Sequence, residues 1–346
     1  MNLEPVVLEK FEIVKCSLCN SPEYQVVLRG PDRCYLSDGE FQVVKCSSCG
    51  LIYTNPRPRP EALSSFYPKR YGPHNKSTQV GLTTPPSSIE ILKVRIRQGV
   101  ADIFYYKRPA SLLKKLALLP FAIWFQLLHV TLLPSPKQPQ DRLLDMGCGT
   151  GTYLATLRSY WQELYGVEVD EEAAQQAKYL EGLKIHTGDL LSAKFPSNFF
   201  DVVVMWHVLE HIANQAEVLL EINRILKPDG YLIIMVPNIA SFEFKLFGIN
   251  WKGLDLPRHL YHFSPTSLKG VLSQTGFKTS RITTQIEPVI LEASIRNVFN
   301  LERPKAGTGI WKIIRLLLFG FSFLLSQLNT SGIIVAYAQP YKNFDA

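Results

Sequence analysis

Between residues 141 and 237, short runs of β-branched and aliphatic side chains alternate with longer stretches of helical spacing. The strand-like runs fall at 141–147, 163–170, 183–189, 200–208 and 231–237, and the helix-like ones at 152–161, 171–180 and 216–226. Such alternation predicts a mostly parallel sheet with helices on both faces. Lys227-Pro228-Asp229-Gly230 has the turn chemistry to separate the helix before it from a strand at 231–236.

The first part of the chain reads differently. Residues 1–70 hold most of the cysteines and end in the proline-rich turn 54–60, where prolines forbid a continued helix or central strand. Residues 71–90 are rich in Gly, Pro, Ser and Thr and read as a linker, followed by a helical connector over 91–133. The expected organisation is therefore a small unit at 1–70, a connector at 71–137, and a large α/β domain at 138–346 with a helical insertion near 287–330. A chain of 346 residues with 46% hydrophobic and 19% charged residues can bury such cores, which excludes a disordered protein.

Cys16-x-x-Cys19 and Cys46-x-x-Cys49 supply four thiolates, the complement of a closed tetrahedral zinc site, with Gly50 giving the second turn its permissive backbone. Four thiolates leave no open position, so the zinc is expected to hold a zinc ribbon together and not to activate water. The alternative, a pair of redox motifs, lacks the thioredoxin-like surroundings such motifs have. Cys34 reads as a small buried residue or a free thiol. The acidic start of the chain does not resemble a signal peptide, and the cysteine usage suits a reducing compartment, so a cytoplasmic location is expected.

The strand at 141–147 runs into Gly147-Cys148-Gly149-Thr150-Gly151 and then a helix, a context in which glycines let backbone amides approach a ligand. Glu168 stands at the end of the next strand, where an acid binds ribose hydroxyls.

Asp145-x-Gly147-x-Gly149-x-Gly151 resembles the first motif of class I S-adenosylmethionine-dependent methyltransferases and departs from the dehydrogenase spacing. The resemblance extends over about residues 141–285. It implies a Rossmann-like, mostly parallel seven-stranded sheet, with 332–337 as a final antiparallel strand. It also implies S-adenosylmethionine as cofactor, held by Asp145, Gly147, Gly149, Gly151, Glu168, Asp189, Leu190 and Trp206. Glu168 would take the ribose and Asp189 the neighbourhood of the adenine amine. The sulfonium is already a good methyl donor, so orientation of the acceptor supplies much of the rate, and a base is needed only where a hydroxyl must lose a proton.

His207 and His259 are the candidate catalytic residues: His207 follows the fourth strand, and His259 lies in the segment 238–263, whose length at this edge suits a lid. The string His207-x-x-Glu210-His211 mimics a zinc-peptidase motif, but it begins at a strand end and shows no third ligand, so Glu210 and His211 read as supporting or capping residues. The string 255–263 resembles one in zinc-ribbon methyltransferases linked with cell-surface glycan pathways. Arg258, His259 and His262 would then suit an anionic, hydroxylated acceptor such as a sugar nucleotide or lipid-linked sugar.

Net charge is +7, and Lys93, Arg95, Arg97, Lys107, Arg108, Lys114 and Lys115 cluster just before the uncharged run 116–133. Basic residues also precede the apolar run 316–328. Pro120 and Gly320 interrupt these runs, and a span at 116–133 would put ribbon and catalytic domain in different compartments, so interfacial helices at a membrane, or a dimer interface, are expected. Nucleic-acid binding or RNA modification is the rival function, but the first seventy residues show no basic cluster interleaved with aromatics. A non-catalytic cofactor-binding scaffold is the third reading.

Overall fold

The computed structural model describes residues 10–35, 37–67, 88–106, 108–127, 130–285, 287–301 and 323–341, with Leu318 and Gly320. The linker at 71–87, Lys107, and most of the apolar run and insertion between 302 and 322 lie outside the described residues.

The N-terminal part contains β1 (Phe11–Glu12), β2 (Tyr24–Pro31), β3 (Glu40–Cys46), β4 (Ile52–Thr54) and β5 (Arg57–Pro58). The α/β part contains β6 (Arg142–Met146), β7 (Glu163–Glu168), β8 (Leu183–Thr187), β9 (Phe200–Trp206), β10 (Leu226–Pro237), β11 (Tyr261–His262), β12 (Phe277–Gln285) and β13 (Ile333–Pro340). Seven of them make one sheet in the order β12-β13-β10-β9-β6-β7-β8. The pairings from β10 to β8 are all parallel, and β13 is antiparallel to both neighbours. Central strands such as β9 are apolar on both faces because helices cover both. The chain runs outward from β6 to β8 and then returns to β9 on the other side of β6. Strand order therefore reverses between β6 and β9, the place where open α/β sheets bind ligands at their carboxyl edge.

Two features differ from the sequence reading. Lys227-Pro228-Asp229-Gly230 lies inside β10, where the register shifts between Leu226 and Tyr231. Lys227 Nζ reaches both oxygens of Asp201 at 2.7 and 2.8 Å, which ties this irregular stretch to β9. Furthermore, β11 leaves the α/β part and pairs with β4, completing a second sheet in the order β11-β4-β3-β2. The cores are continuous as well: Cys16, Val44, Cys46, Leu51 and Tyr53 share one buried cluster with Leu260, Phe263, Leu268 and the strands β6, β9 and β10.

The connector forms a helix Ser88–Val100, one π turn over Ala101–Tyr105 closed by Tyr106 N–H donating to the Ala101 carbonyl, and a helix Leu112–Leu127 with Pro120 inside it. Val100, Ala101, Ala122 and Leu132 pack together, while Leu112, Leu116, Leu119, Ile123 and Trp124 remain exposed. No helix among the described residues is long and apolar enough to cross a membrane.

Candidate functional site

The glycine turn after β6 is built from backbone that only glycine adopts easily. Gly147, Gly149 and Gly151 have φ of 74°, 53° and 73°, and a Cβ on Gly147 would meet Val208 Cγ2 at 2.5 Å. Beneath the turn Asp145 is 2% exposed, and its Oδ1 has no hydrogen-bond partner. Burial, and next the Glu168 carboxylate, push the Asp145 carboxyl well above its usual range. A buried acid without a donor is the environment that a cationic group relieves.

Glu168 ends β7, where its Oε2 accepts from Gly149 N–H and its Oε1 from Asp170 N–H, each at 2.8 Å. The carboxylate is thereby aimed along the glycine turn, and each oxygen keeps a lone pair for a hydroxyl donor. Trp206, at the end of β9, packs edge-on against Tyr153 at 5.6 Å between centroids. Asp189 is exposed and accepts from Ser192 N–H at 2.7 Å, which caps the helix Leu190–Ala193. Leu190, the first residue of that helix, is wholly buried in the core. The donor set of Asp145, the glycines and Glu168 fits a cofactor bearing an ammonium and a ribose.

At the same sheet edge, His207 has φ of 56°, with Nδ1 3.3 Å from Glu210 Oε1 and Nε2 3.8 Å from Glu287 Oε2. Burial acts to lower its pKa, but the two carboxylates outweigh it and the net shift is upward. His259 is 7% exposed, Nδ1 2.9 Å from the Gly253 carbonyl, and burial with the nearby His211 brings its pKa down to about 4. Of the two candidate bases, His207 is the accessible one, its side chain 34% exposed.

Arg258 and His262 correct the expectation that they would meet an anionic acceptor. Arg258 is wholly buried, with Nη1 and Nη2 on Asp32 at 2.8 and 2.6 Å and Nη2 also on Asp255 at 3.1 Å. It clamps the N-terminal unit to the segment after β10. His262 is buried in β11 beside Thr54 Oγ1 at 3.2 Å. A second correction concerns Glu210 and His211, for which the sequence offers no third ligand: the fold brings His259 beside them.

Cys16, Cys19, Cys46 and Cys49 converge, with Sγ–Sγ distances of 3.4 Å for Cys16–Cys49 and for Cys19–Cys46. All four are free thiols, and a tetrahedron with Zn–S bonds of about 2.3 Å has comparable edges. Both knuckles turn the same way: Asn20 N–H donates to Cys16 O and Gly50 N–H to Cys46 O, with φ of 59° and 78°. The residue after each second cysteine thus adopts the left-handed region, a role legible for Gly50 but not for Asn20.

Comparison with known proteins places this geometry. Residues 120–281 match a family described as a methyltransferase domain. The sheet region is thus similar to methyltransferase domains. The strand order and glycine turn are those of a Rossmann-like fold. An uncharacterized methyltransferase of Schizosaccharomyces pombe is 35% identical over 115 residues, 29% of this chain and 41% of that protein. A ubiquinone biosynthesis O-methyltransferase of Paraburkholderia phymatum is 24% identical over 154 residues, covering 41% of this chain and 66% of the relative. The crystal structure of the YcgJ protein of Bacillus subtilis aligns with a TM-score of 0.41 at 19% identity, over 60% of this chain and 94% of that one. The chain spans less than two thirds of the length of these first curated relatives.

Proposed function

We propose that the protein transfers a methyl group from S-adenosylmethionine to a hydroxyl of a sugar, glycan or lipid-linked acceptor. The observation that carries the methyl-transfer reading is the pairing of buried Asp145 with the Glu168-braced glycine turn at the point where strand order reverses. Asp145, Gly147, Gly149 and Gly151 would hold the methionyl end, Glu168 the ribose, and Asp189, Leu190 and Trp206 the adenine side. His207 is the base for a hydroxyl acceptor, because it alone of the two candidates has an accessible side chain. Labelled S-adenosylmethionine incubated with fractionated cell-envelope lipids and glycans tests the acceptor; label found only in nucleic acid or protein would refute it.

Replacing Glu168 by Ala is expected to cost about 2–4 kcal/mol in cofactor affinity, since the ribose loses charge-assisted hydrogen bonds. Calorimetry reads this directly. Unchanged affinity would mean that the ribose is held elsewhere.

In the same reading, residues 1–70 form a zinc ribbon on Cys16, Cys19, Cys46 and Cys49, residues 71–137 a connector, and residues 138–346 the catalytic domain. The connector rests on the cytoplasmic membrane surface. Supporting this, Leu112, Leu116, Leu119 and Ile123 leave an apolar stripe exposed on one helix, with Lys114 and Lys115 exposed beside it. Each basic residue near an anionic surface contributes about 1 kcal/mol, so sedimentation with anionic vesicles should exceed that with neutral ones and weaken in high salt. Equal absence from both would assign the stripe to a protein contact.

A further inference from the structure

We propose that Glu210, His211 and His259 form a second metal site, distinct from the four cysteines, for one divalent transition-metal ion with nitrogen and oxygen ligands. One ligand atom from each of the three lies within 4.8 Å of the others. The side chain of Glu210 is 0% exposed, and neither of its oxygens makes a hydrogen bond of normal geometry. His207 Nδ1 stands 3.3 Å and His259 Nε2 3.9 Å from its Oε1. A buried carboxylate left in this state costs free energy that a cation would recover.

The imidazole tautomers leave Nε2 free for ligation. His259 Nδ1 faces the Gly253 carbonyl at 2.9 Å, and His211 Nδ1 faces the Arg258 carbonyl at 3.0 Å with Tyr67 Oη also at 3.0 Å. A carbonyl oxygen only accepts, so both Nδ1 atoms carry the hydrogen and both Nε2 atoms present a lone pair. Two imidazoles and one carboxylate match sites that bind zinc or ferrous iron and keep a position open. The ligands come from the turn after β9 and from the segment before β11, so no single stretch of sequence displays them. Resting on the methyltransferase reading, the open position would hold an oxygen of the acceptor beside His207.

Metal analysis of the full chain, loaded with zinc and gel-filtered, should find two ions per chain, falling to one in Glu210→Gln and in His259→Gln. Cobalt substitution separates the sites: thiolate charge-transfer bands report the cysteines, and d–d bands without them report the nitrogen and oxygen site. Those d–d bands should appear with the second equivalent in the wild type and be lost in the variants, while the thiolate bands persist. One ion per chain, accounted for by the thiolate bands, overturns the proposal, as do two ions in both variants. Should the variants not fold, the wild-type cobalt titration decides alone. S-adenosylmethionine calorimetry on the same preparation separates the two readings, because cofactor binding without a second metal refutes only the site proposed here.

Discussion

Arg258→Met is expected to lower the unfolding free energy by about 3–5 kcal/mol, because it strands Asp32 as a buried charge. The guanidinium contacts two carboxylates and the carbonyls of Phe66 and Leu256 in a fully buried position, and Asp32 also accepts from the backbone of Cys34, Tyr35 and Ser37. Urea denaturation followed by tryptophan fluorescence measures the loss, and a change under 1 kcal/mol would show that the clamp contributes little. Asp32→Asn should cost less, since it keeps the shape and some of the hydrogen bonds. The pair also sets an acid limit. Burial alone would raise the Asp32 pKa, but Arg258 and the backbone donors outweigh it and hold it below its ordinary 3.8. A depressed carboxylate contributes stability that is present above the unfolded value and lost as pH falls through the folded one, so the wild type should lose this contribution below about pH 4 and Asp32→Asn should not.

On the proposed zinc site, removing the metal from the four cysteines is expected to have the largest effect of all, and to reach beyond the N-terminal unit. Structural zinc contributes about 10–16 kcal/mol in isolated fingers, and here Cys16 and Cys46 are buried within the cluster that includes Phe263, Leu268 and β10. Strong chelation, or Cys46→Ser, should therefore broaden the thermal transition of the whole chain and weaken S-adenosylmethionine binding along with it. Calorimetric unfolding with and without chelator is the measurement. A cofactor-binding domain that keeps its transition unchanged would show that the N-terminal unit is thermodynamically separate.

The parts of the fold written in local periodicity were legible in advance. Each parallel strand carries its own apolar run, the glycines announce the cofactor turn, and the two Cys-x-x-Cys pairs announce the knuckles. What escaped depends on contacts between distant residues. Arg258 and His262 look like ligands in a string of polar residues, yet Asp32 and Thr54, more than two hundred positions earlier, meet them in the core. His259 becomes a neighbour of Glu210 only once 238–263 folds back across the sheet edge. The strand β11 is two residues long, too short for any alternation to reveal, and its existence follows from the unpaired edge of β4. Lys227 to Gly230 reads as a turn by composition, but the Lys227 ammonium on Asp201 draws it into β10.

The pairing of β4 with β11 also sets an order of events during synthesis. Thr54 leaves the ribosome about 200 residues before His262, which at roughly 5–20 residues per second is a wait on the order of 10–40 seconds. Throughout that interval β4 has an open edge, and Leu51 and Tyr53 lack Leu260 and Phe263, with which they share one buried cluster. In a growing chain the knuckles can form early, whereas the sheet behind them closes only after Tyr261 and His262 have emerged. Nascent-chain proteolysis should accordingly find the N-terminal unit sensitive until the segment beyond residue 263 has emerged.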